Sequence, residues 1–223
     1  MNKEQSEIFN IDGLKLCVSK EHRFGTDAVN LAEFAAEAGL AGSRIICDLC
    51  TGCGIIPFLL LNKSKAKKIY ALDINMDAIN LLRESVRINS LHEVIIPILG
   101  DLKNITQIAP GSVDLITVNP PYYKSCDGFK RPLESGGGAR HELLCELDDA
   151  VRAAARLLKY GGRLKMCHIP ERLADVITTL RKYSLEPKII RFLLNNKKEP
   201  RLMLIDAKKG GKAGAKIQLT IDS

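Results

Sequence analysis

The chain has 223 residues, enough for one domain with a sizeable core, and its 46% hydrophobic and 26% charged residues are an ordinary globular composition. The start, Met1-Asn2-Lys3-Glu4-Gln5-Ser6-Glu7, is polar and acidic, unlike a signal peptide, and no apolar run reaches the length of a membrane span, so a cytoplasmic protein is expected. A formal charge of +7, from 33 Lys and Arg against 26 Asp and Glu, favours a polyanionic partner.

Seven cysteines, an odd number without an export signal, point to free thiols. The spacing Cys47-x2-Cys50-x2-Cys53 invites an iron–sulfur reading. The ferredoxin run, however, needs a fourth Cys three residues further on and then a Pro, and position 57 is itself Pro57. No other Cys pair has zinc-ligand spacing, so no metal site is expected.

Residues 7–18 form two apolar-alternating runs about Asp12-Gly13, a hairpin signal. Arg23-Phe24-Gly25-Thr26-Asp27 leads into a helix over 28–36, which Thr26 can cap and Gly39 can stop. Residues 45–50 then read as a strand, 51–54 as a glycine turn and 55–61 as a helix that tolerates Pro57 in its first turn. A second strand covers 68–73, a helix 76–89, and a third strand 94–99, broken by Pro97 and followed by Gly100-Asp101. The fourth strand, 113–118, stops at Asn119-Pro120-Pro121-Tyr122, because proline offers no N–H to a sheet ladder.

This alternation predicts an α/β fold whose mostly parallel sheet carries helices on both faces and binds ligands at the carboxyl ends of its strands. Asp48, Asp73, Asp101 and Asn119 all fall at such ends. Any one of them could be a cap or a turn residue; four at consecutive strand ends fit a ligand site better. The loop lacks the Gly-Lys-Ser/Thr of a phosphate loop, and it offers only Gly52-x-Gly54, with Cys50 where a dinucleotide fingerprint has glycine. Asp73, some twenty-five residues beyond Asp48, is placed to bind a ribose diol.

The two prolines hold Asn119 and Pro120 extended, so that the Asn119 amide oxygen and the Pro120 carbonyl offer two acceptors, with the Tyr122 ring beside them as a flat wall. Such a set suits a planar molecule with an NH2 group. Asn-Pro-Pro-Tyr resembles the catalytic motif of S-adenosylmethionine-dependent amino-methyltransferases, and Asp48-Leu49-Cys50-Thr51-Gly52-Cys53-Gly54 resembles motif I of class I methyltransferases, departing from it at Cys50. The resemblance implies a Rossmann-like seven-stranded sheet with an antiparallel closing strand. It further implies that Thr26 covers the methionine end of the cofactor, that Asp48 and the backbone of the loop through Cys50, Gly52 and Gly54 hold the amino-acid part, and that Asp73 and Asp101 take the ribose and the adenine amine.

Residues 124–140, with glycines at 136–138, are expected to form a mobile substrate-ordering lid. His141, in Arg140-His141-Glu142, could orient that loop, contact phosphate or act as a general base. A helix over 147–159, a Gly161-Gly162 break, a strand over 163–168, a helix over 171–183 and an antiparallel pair at 187–194 and 201–206 complete the pattern. The expected organisation is a single methyltransferase domain: hairpin and helix over 1–40, catalytic core over 41–206, basic segment over 207–223. The lysines toward the end, among them Lys197, Lys198, Lys208 and Lys209, are either a solvated edge or a phosphate track.

Phe24-Gly25-Thr26-Asp27, the glycine loop, Asn119-Pro120-Pro121-Tyr122, Arg140-His141-Glu142 and the basic terminal segment, in this order, resemble the bacterial tRNA1(Val) adenine-N6 methyltransferase family. That resemblance implies methyl transfer to the N6 amine of the adenine 3′ of the anticodon. Asn119, Pro120 and Tyr122 are then the catalytic set, with Pro121, Tyr123, Arg140, His141 and the four lysines on the RNA side. Competing readings are a glutamine-amide methyltransferase, a DNA or rRNA adenine methyltransferase, and an RNA-binding relative without activity.

Overall fold

The structure, a computed structural model, describes residues 6–37, 42, 44–120 and 147–221. The chain opens with a hairpin, β1 (Glu7–Ile11) and β2 (Leu14–Val18). Its turn residues Asp12 and Gly13 both have positive φ (49° and 88°), the type I′ geometry that the Asp-Gly pair favours. Asn89, at the end of the third helix, fastens the hairpin to the body: its Oδ1 accepts from Lys15 N (2.9 Å) and its Nδ2 donates to Lys15 O (2.7 Å).

The elements that follow are α1 (Thr26–Glu37), β3 (Ile45–Leu49), α2 (Ile55–Lys63), β4 (Lys68–Asp73), α3 (Met76–Ile88), β5 (Ile95–Leu99), β6 (Val113–Val118), α4 (Leu147–Leu157), β7 (Leu158–His168), α5 (Leu173–Lys182), β8 (Leu185–Leu194), β9 (Pro200–Lys209) and β10 (Lys216–Ile221). The main sheet has the order β10-β8-β9-β7-β6-β3-β4-β5. Strands β5, β4, β3, β6 and β7 are mutually parallel, and β9 runs antiparallel between β7 and β8.

Alternate strand residues face opposite layers. Ile46 and Leu115 join the core formed with α1, α2 and α3, whereas Cys47, Leu49 and Ile116 join the one formed with α4 and α5. Burial on both faces explains why the strands read as nearly continuous apolar runs.

The expected seven-stranded sheet is present, and an eighth strand extends it. β10 pairs in parallel with β8 from Lys216↔Ile189 to Ile221↔Leu194. The segment expected to be merely basic beyond 206 therefore holds the end of β9 and all of β10. Its alternation of Ile217, Leu219 and Ile221 was the available signal. Those side chains remain 61%, 68% and 61% exposed, so backbone pairing and the Arg191 Nε to Gln218 Oε1 bond (2.9 Å) hold the strand rather than burial.

Two further boundaries differ from the sequence reading. α1 begins at Thr26 itself, and the Gly25 carbonyl accepts from Ala28 N (3.2 Å), so Thr26 is the first helical residue rather than the cap. β7 begins at Leu158, before the two glycines, and its pairing with β6 shifts register between Val113 and Leu115. A Cβ on Gly162 would lie 2.9 Å from the Lys159 carbonyl oxygen, so those glycines permit a bulge in the strand instead of breaking it. Among the described residues, no helix is long and apolar enough to cross a membrane.

Gly54, the N-cap of α2, has φ +91°, and a Cβ there would stand 2.4 Å from Leu82 Cδ1 on α3. Backbone strain and overpacking act together, so Gly54→Ala is expected to lower stability by about 2–4 kcal/mol in urea denaturation. Adding Leu82→Gly should recover the steric share in that double variant when it is compared with Leu82→Gly alone, leaving only the backbone penalty.

Candidate active site

The carboxyl ends of β3, β4, β5 and β6 lie side by side in the sheet and present Asp48, Asp73, Asp101 and Asn119. Between β3 and α2 the chain turns through three left-handed residues, Cys50 (φ 59°), Gly52 (φ 55°) and Gly54. Cys50 thus occupies the region that glycine adopts without cost, and the loop keeps its turn despite the substitution. β4 supports it: Thr51 N donates to Leu72 O (3.0 Å) and Gly52 N to Asp73 Oδ2 (2.8 Å), while Asp73 Oδ1 accepts from Asn75 N (2.9 Å). The Asp73 carboxylate therefore shapes the loop as well as edging it. Asp101, two residues past β5, accepts from Lys103 N (2.9 Å) and caps a short 3-10 turn.

Asp48 is fully buried. Its Oδ1 accepts from Thr117 Oγ1 on β6 at 2.5 Å, and the Thr51 hydroxyl also lies against this carboxylate, although neither Asp48 Oδ2 nor Thr51 Oγ1 completes a hydrogen bond of normal geometry among the described residues. Burial pushes the Asp48 carboxyl up to about 7, against the Thr117 and Thr51 hydroxyls, which draw it down. Two buried oxygens without a well-formed hydrogen bond, beside the glycine turn, are what a ligand bearing hydrogen-bond donors would satisfy, since such groups are otherwise costly.

Thr117 also belongs to a longer arrangement that the sequence did not reveal. Asp48 pairs with Thr117 across β3 and β6, Thr117 with Lys165 across β6 and β7, and Lys165 with Asp206 across β7 and β9. All four are 0% exposed. Lys165 Nζ lies 3.1 Å from Asp206 Oδ2 and 4.5 Å from the centre of the Phe34 ring; burial pulls its pKa down and the Asp206 charge opposes that. Arg163 Nη1 also reaches Asp206 Oδ2, at 2.8 Å. A row of polar side chains thus crosses four strands under α1.

Asn119 is half-buried and Pro120 buried, as an abrupt strand end requires. One step beyond the Val118↔Met166 pair, Cys167 Sγ donates to Asn119 Oδ1 at 3.0 Å. His168, next along β7, is buried; burial holds it near 4, and its Nδ1 accepts from Ile169 N (2.9 Å), so it is neutral at neutral pH. Neither residue stood out in the sequence, because neither belongs to a motif. Pro121, Tyr122, Tyr123, Arg140, His141 and the expected lid over 124–140 lie outside the described residues, as does Gly39.

The four lysines separate. Lys197 and Lys198 are exposed in the β8–β9 turn, where the Asn195 side chain accepts from Lys197 N (2.9 Å) and Glu199 N (3.0 Å). That turn is at the Asn119 end of the sheet, and the Arg201–Asp27 ion pair (2.8 Å) ties it to the start of α1. Lys208 and Lys209 are at the opposite end. Lys208 pairs with Arg163, four residues along β9 from Leu204, the partner of Cys167; that is roughly 13 Å down the strand. Lys209 Nζ donates to the Leu158 carbonyl (2.8 Å). The antiparallel course of β9 thus removes this pair from any track beside Asn119.

Strand order, glycine turn and acidic strand ends define a class I S-adenosylmethionine-dependent methyltransferase, an enzyme whose cofactor is that sulfonium donor. The TM-score is 0.65 against M. jannaschii TYW2 in complex with AdoMet, covering 93% of this chain and 87% of that one at 17% identity. Residues 2–129 match the TRM5/TYW2 methyltransferase domain, and the chain belongs to that family. Two relatives carry the name tRNA1(Val) (adenine(37)-N6)-methyltransferase. The Porphyromonas gingivalis protein is 28% identical over 82% of this chain and 72% of its own length, and the Phocaeicola vulgatus protein is 33% identical over 63% and 56%.

Because the folded Asp48 carboxyl titrates near 7 and an unfolded one near 4, the folded state holds a proton that the unfolded state has lost between those values. Its stabilising contribution is complete below about pH 4 and disappears as pH rises through about 7. Thermal melting of the cofactor-free protein between pH 5 and 8 should show Asp48→Asn losing less stability with rising pH than the parent; parallel curves would exclude a buried titrating Asp48.

Proposed function

We propose that this enzyme methylates the exocyclic N6 amine of an adenine in tRNA, the adenine 3′ of the anticodon in tRNA1(Val), in the cytoplasm where tRNA is found. The observation that carries the reading is Asn119-Pro120 at the end of β6, beside the glycine turn of β3. The names of the relatives, the basic charge and the exposed lysines at the same end of the sheet support an RNA substrate over a protein amide. S-adenosylmethionine supplies an electrophilic methyl group on its sulfonium.

The residues present fit that cofactor. Asp48 and the loop backbone through Cys50, Gly52 and Gly54 hold its amino-acid part, for which the Asp48 and Thr51 oxygens, left without a well-formed hydrogen bond, provide acceptors. Thr26 borders the same end; Asp73 takes the ribose hydroxyls and Asp101 the adenine amine. On the substrate side, the target base leaves its stack and lies against Tyr122, with Pro121 and Tyr123 adjoining. The Asn119 amide oxygen and the Pro120 carbonyl accept the two amine hydrogens and turn the nitrogen lone pair out of conjugation. As the nitrogen–carbon bond forms and the methyl–sulfonium bond breaks to leave a neutral thioether, nitrogen becomes positive and both hydrogen bonds strengthen, favouring the transition state over the ground state. The surplus amine proton then passes to solvent. Arg140 and His141 belong to the RNA side of the site.

Asn119→Ala should lower turnover on tRNA by on the order of 10²-fold, the loss expected for one preorganised partner. Labelled S-adenosylmethionine offered with tRNA, DNA and protein in separate reactions should label tRNA alone, and the product should be N6-methyladenine. Lys197→Ala combined with Lys198→Ala should reduce the salt dependence of tRNA binding by about two phosphate contacts, and Lys208→Ala should leave it unchanged.

A further inference from the structure

We infer that Cys167 is a positioning residue for Asn119: its thiol proton fixes the amide so that the oxygen stays available to the amine being methylated. The inference rests on the reading of Asn119 given above. Cys167 and Asn119 are neighbours across β7 and β6 on the face that carries Lys165 and Thr117, two positions further toward the carboxyl ends. Their side chains meet as directly opposed residues of adjacent strands do, and the Sγ to Oδ1 distance is 3.0 Å.

An asparagine amide has two ends of nearly equal shape and opposite polarity. Turned by half a rotation about its terminal bond, Asn119 would aim N–H groups where the oxygen must accept. A thiol is a weak donor but a poorer acceptor, so a buried S–H against this amide favours the orientation in which oxygen meets sulfur. The oxygen has two lone pairs, so accepting from the thiol does not use up its capacity. Cys167 is fully buried and packs with the core beneath α1, which removes the sulfur's freedom to turn away. Asn119 lies at the abrupt strand end, where Pro120 restricts its backbone and the fixed wall of β7 constrains its side chain.

The test compares Cys167→Ala, Cys167→Ser and Asn119→Ala, with the Cys167→Ala/Asn119→Ala double variant, using labelled S-adenosylmethionine and tRNA. Cys167→Ala should lower kcat about 2- to 10-fold, the range of one neutral hydrogen bond, with little change in KM for tRNA or in Kd for the cofactor measured by calorimetry. Cys167→Ser, which keeps a donor, should recover most of the rate. In the Asn119→Ala background, removing the thiol should cost nothing further, because there is no amide left to orient. An unchanged kcat for Cys167→Ala beside a crippled Asn119→Ala would overturn the positioning role alone. Equal losses for the Ala and Ser variants, matched by equal falls in Tm, would overturn it in favour of packing. A parental rate for Asn119→Ala would overturn the assignment of Asn119 and this inference with it.

Discussion

The hydrogen bond from Thr117 to Asp48 joins the two halves of the site. It connects the strand that ends in the glycine turn to the strand that ends in Asn119, two residues past Thr117, and does so between fully buried side chains. A buried carboxyl in that position has to be either neutral or partnered, and Asp48 is partly both: the Thr117 and Thr51 hydroxyls face it, and burial raises its proton affinity. The glycine turn and the Asn119 strand end thus share one titratable group and one hydroxyl. Movement of β6 against β3 would break that bond and displace Asn119 at once.

The same row continues to Lys165 and Asp206, where the energetics differ. The ammonium is compensated by the carboxylate and by the face of Phe34, which also receives the Arg191 guanidinium at 4.9 Å. Buried pairs of this kind add little net stability against an apolar replacement, yet removal of one partner leaves a charge without compensation. Their effect here is to fix the register of β7 and β9. That register sends the β8–β9 turn, with Lys197 and Lys198, to the Asn119 end of the sheet, while the pairing of β7 with β6 sets Cys167 beside Asn119.

Much of the local structure was legible because short-range chemistry dictates it. Asp12-Gly13 needs a left-handed turn and has one; Pro57 is admissible only in a first helical turn and sits there. β4 runs over the six residues that the apolar pattern marked, and β6 ends where the prolines begin. Cys50, a departure from the glycine that motif I resembles, still adopts the left-handed conformation, because the bonds from Thr51 N and Gly52 N to β4 impose it. β10 is hard to read from the sequence because its alternating apolar side chains lack a burying face, so the pattern resembles a polar tail.

The sequence by itself determined the order of strands and helices, the glycine turn and the polar residues at the strand ends, since each depends on neighbours only a few positions away. The fold alone decided which distant residues meet. Cys167 reaches Asn119 across 48 positions and Asp48 reaches Thr117 across 69, both through strand pairing that no local pattern encodes. The fold also divided one run of lysines between two ends of the molecule. An antiparallel strand carries its far residues away from the site in proportion to its length, and the direction of β9 is a property of the assembled sheet.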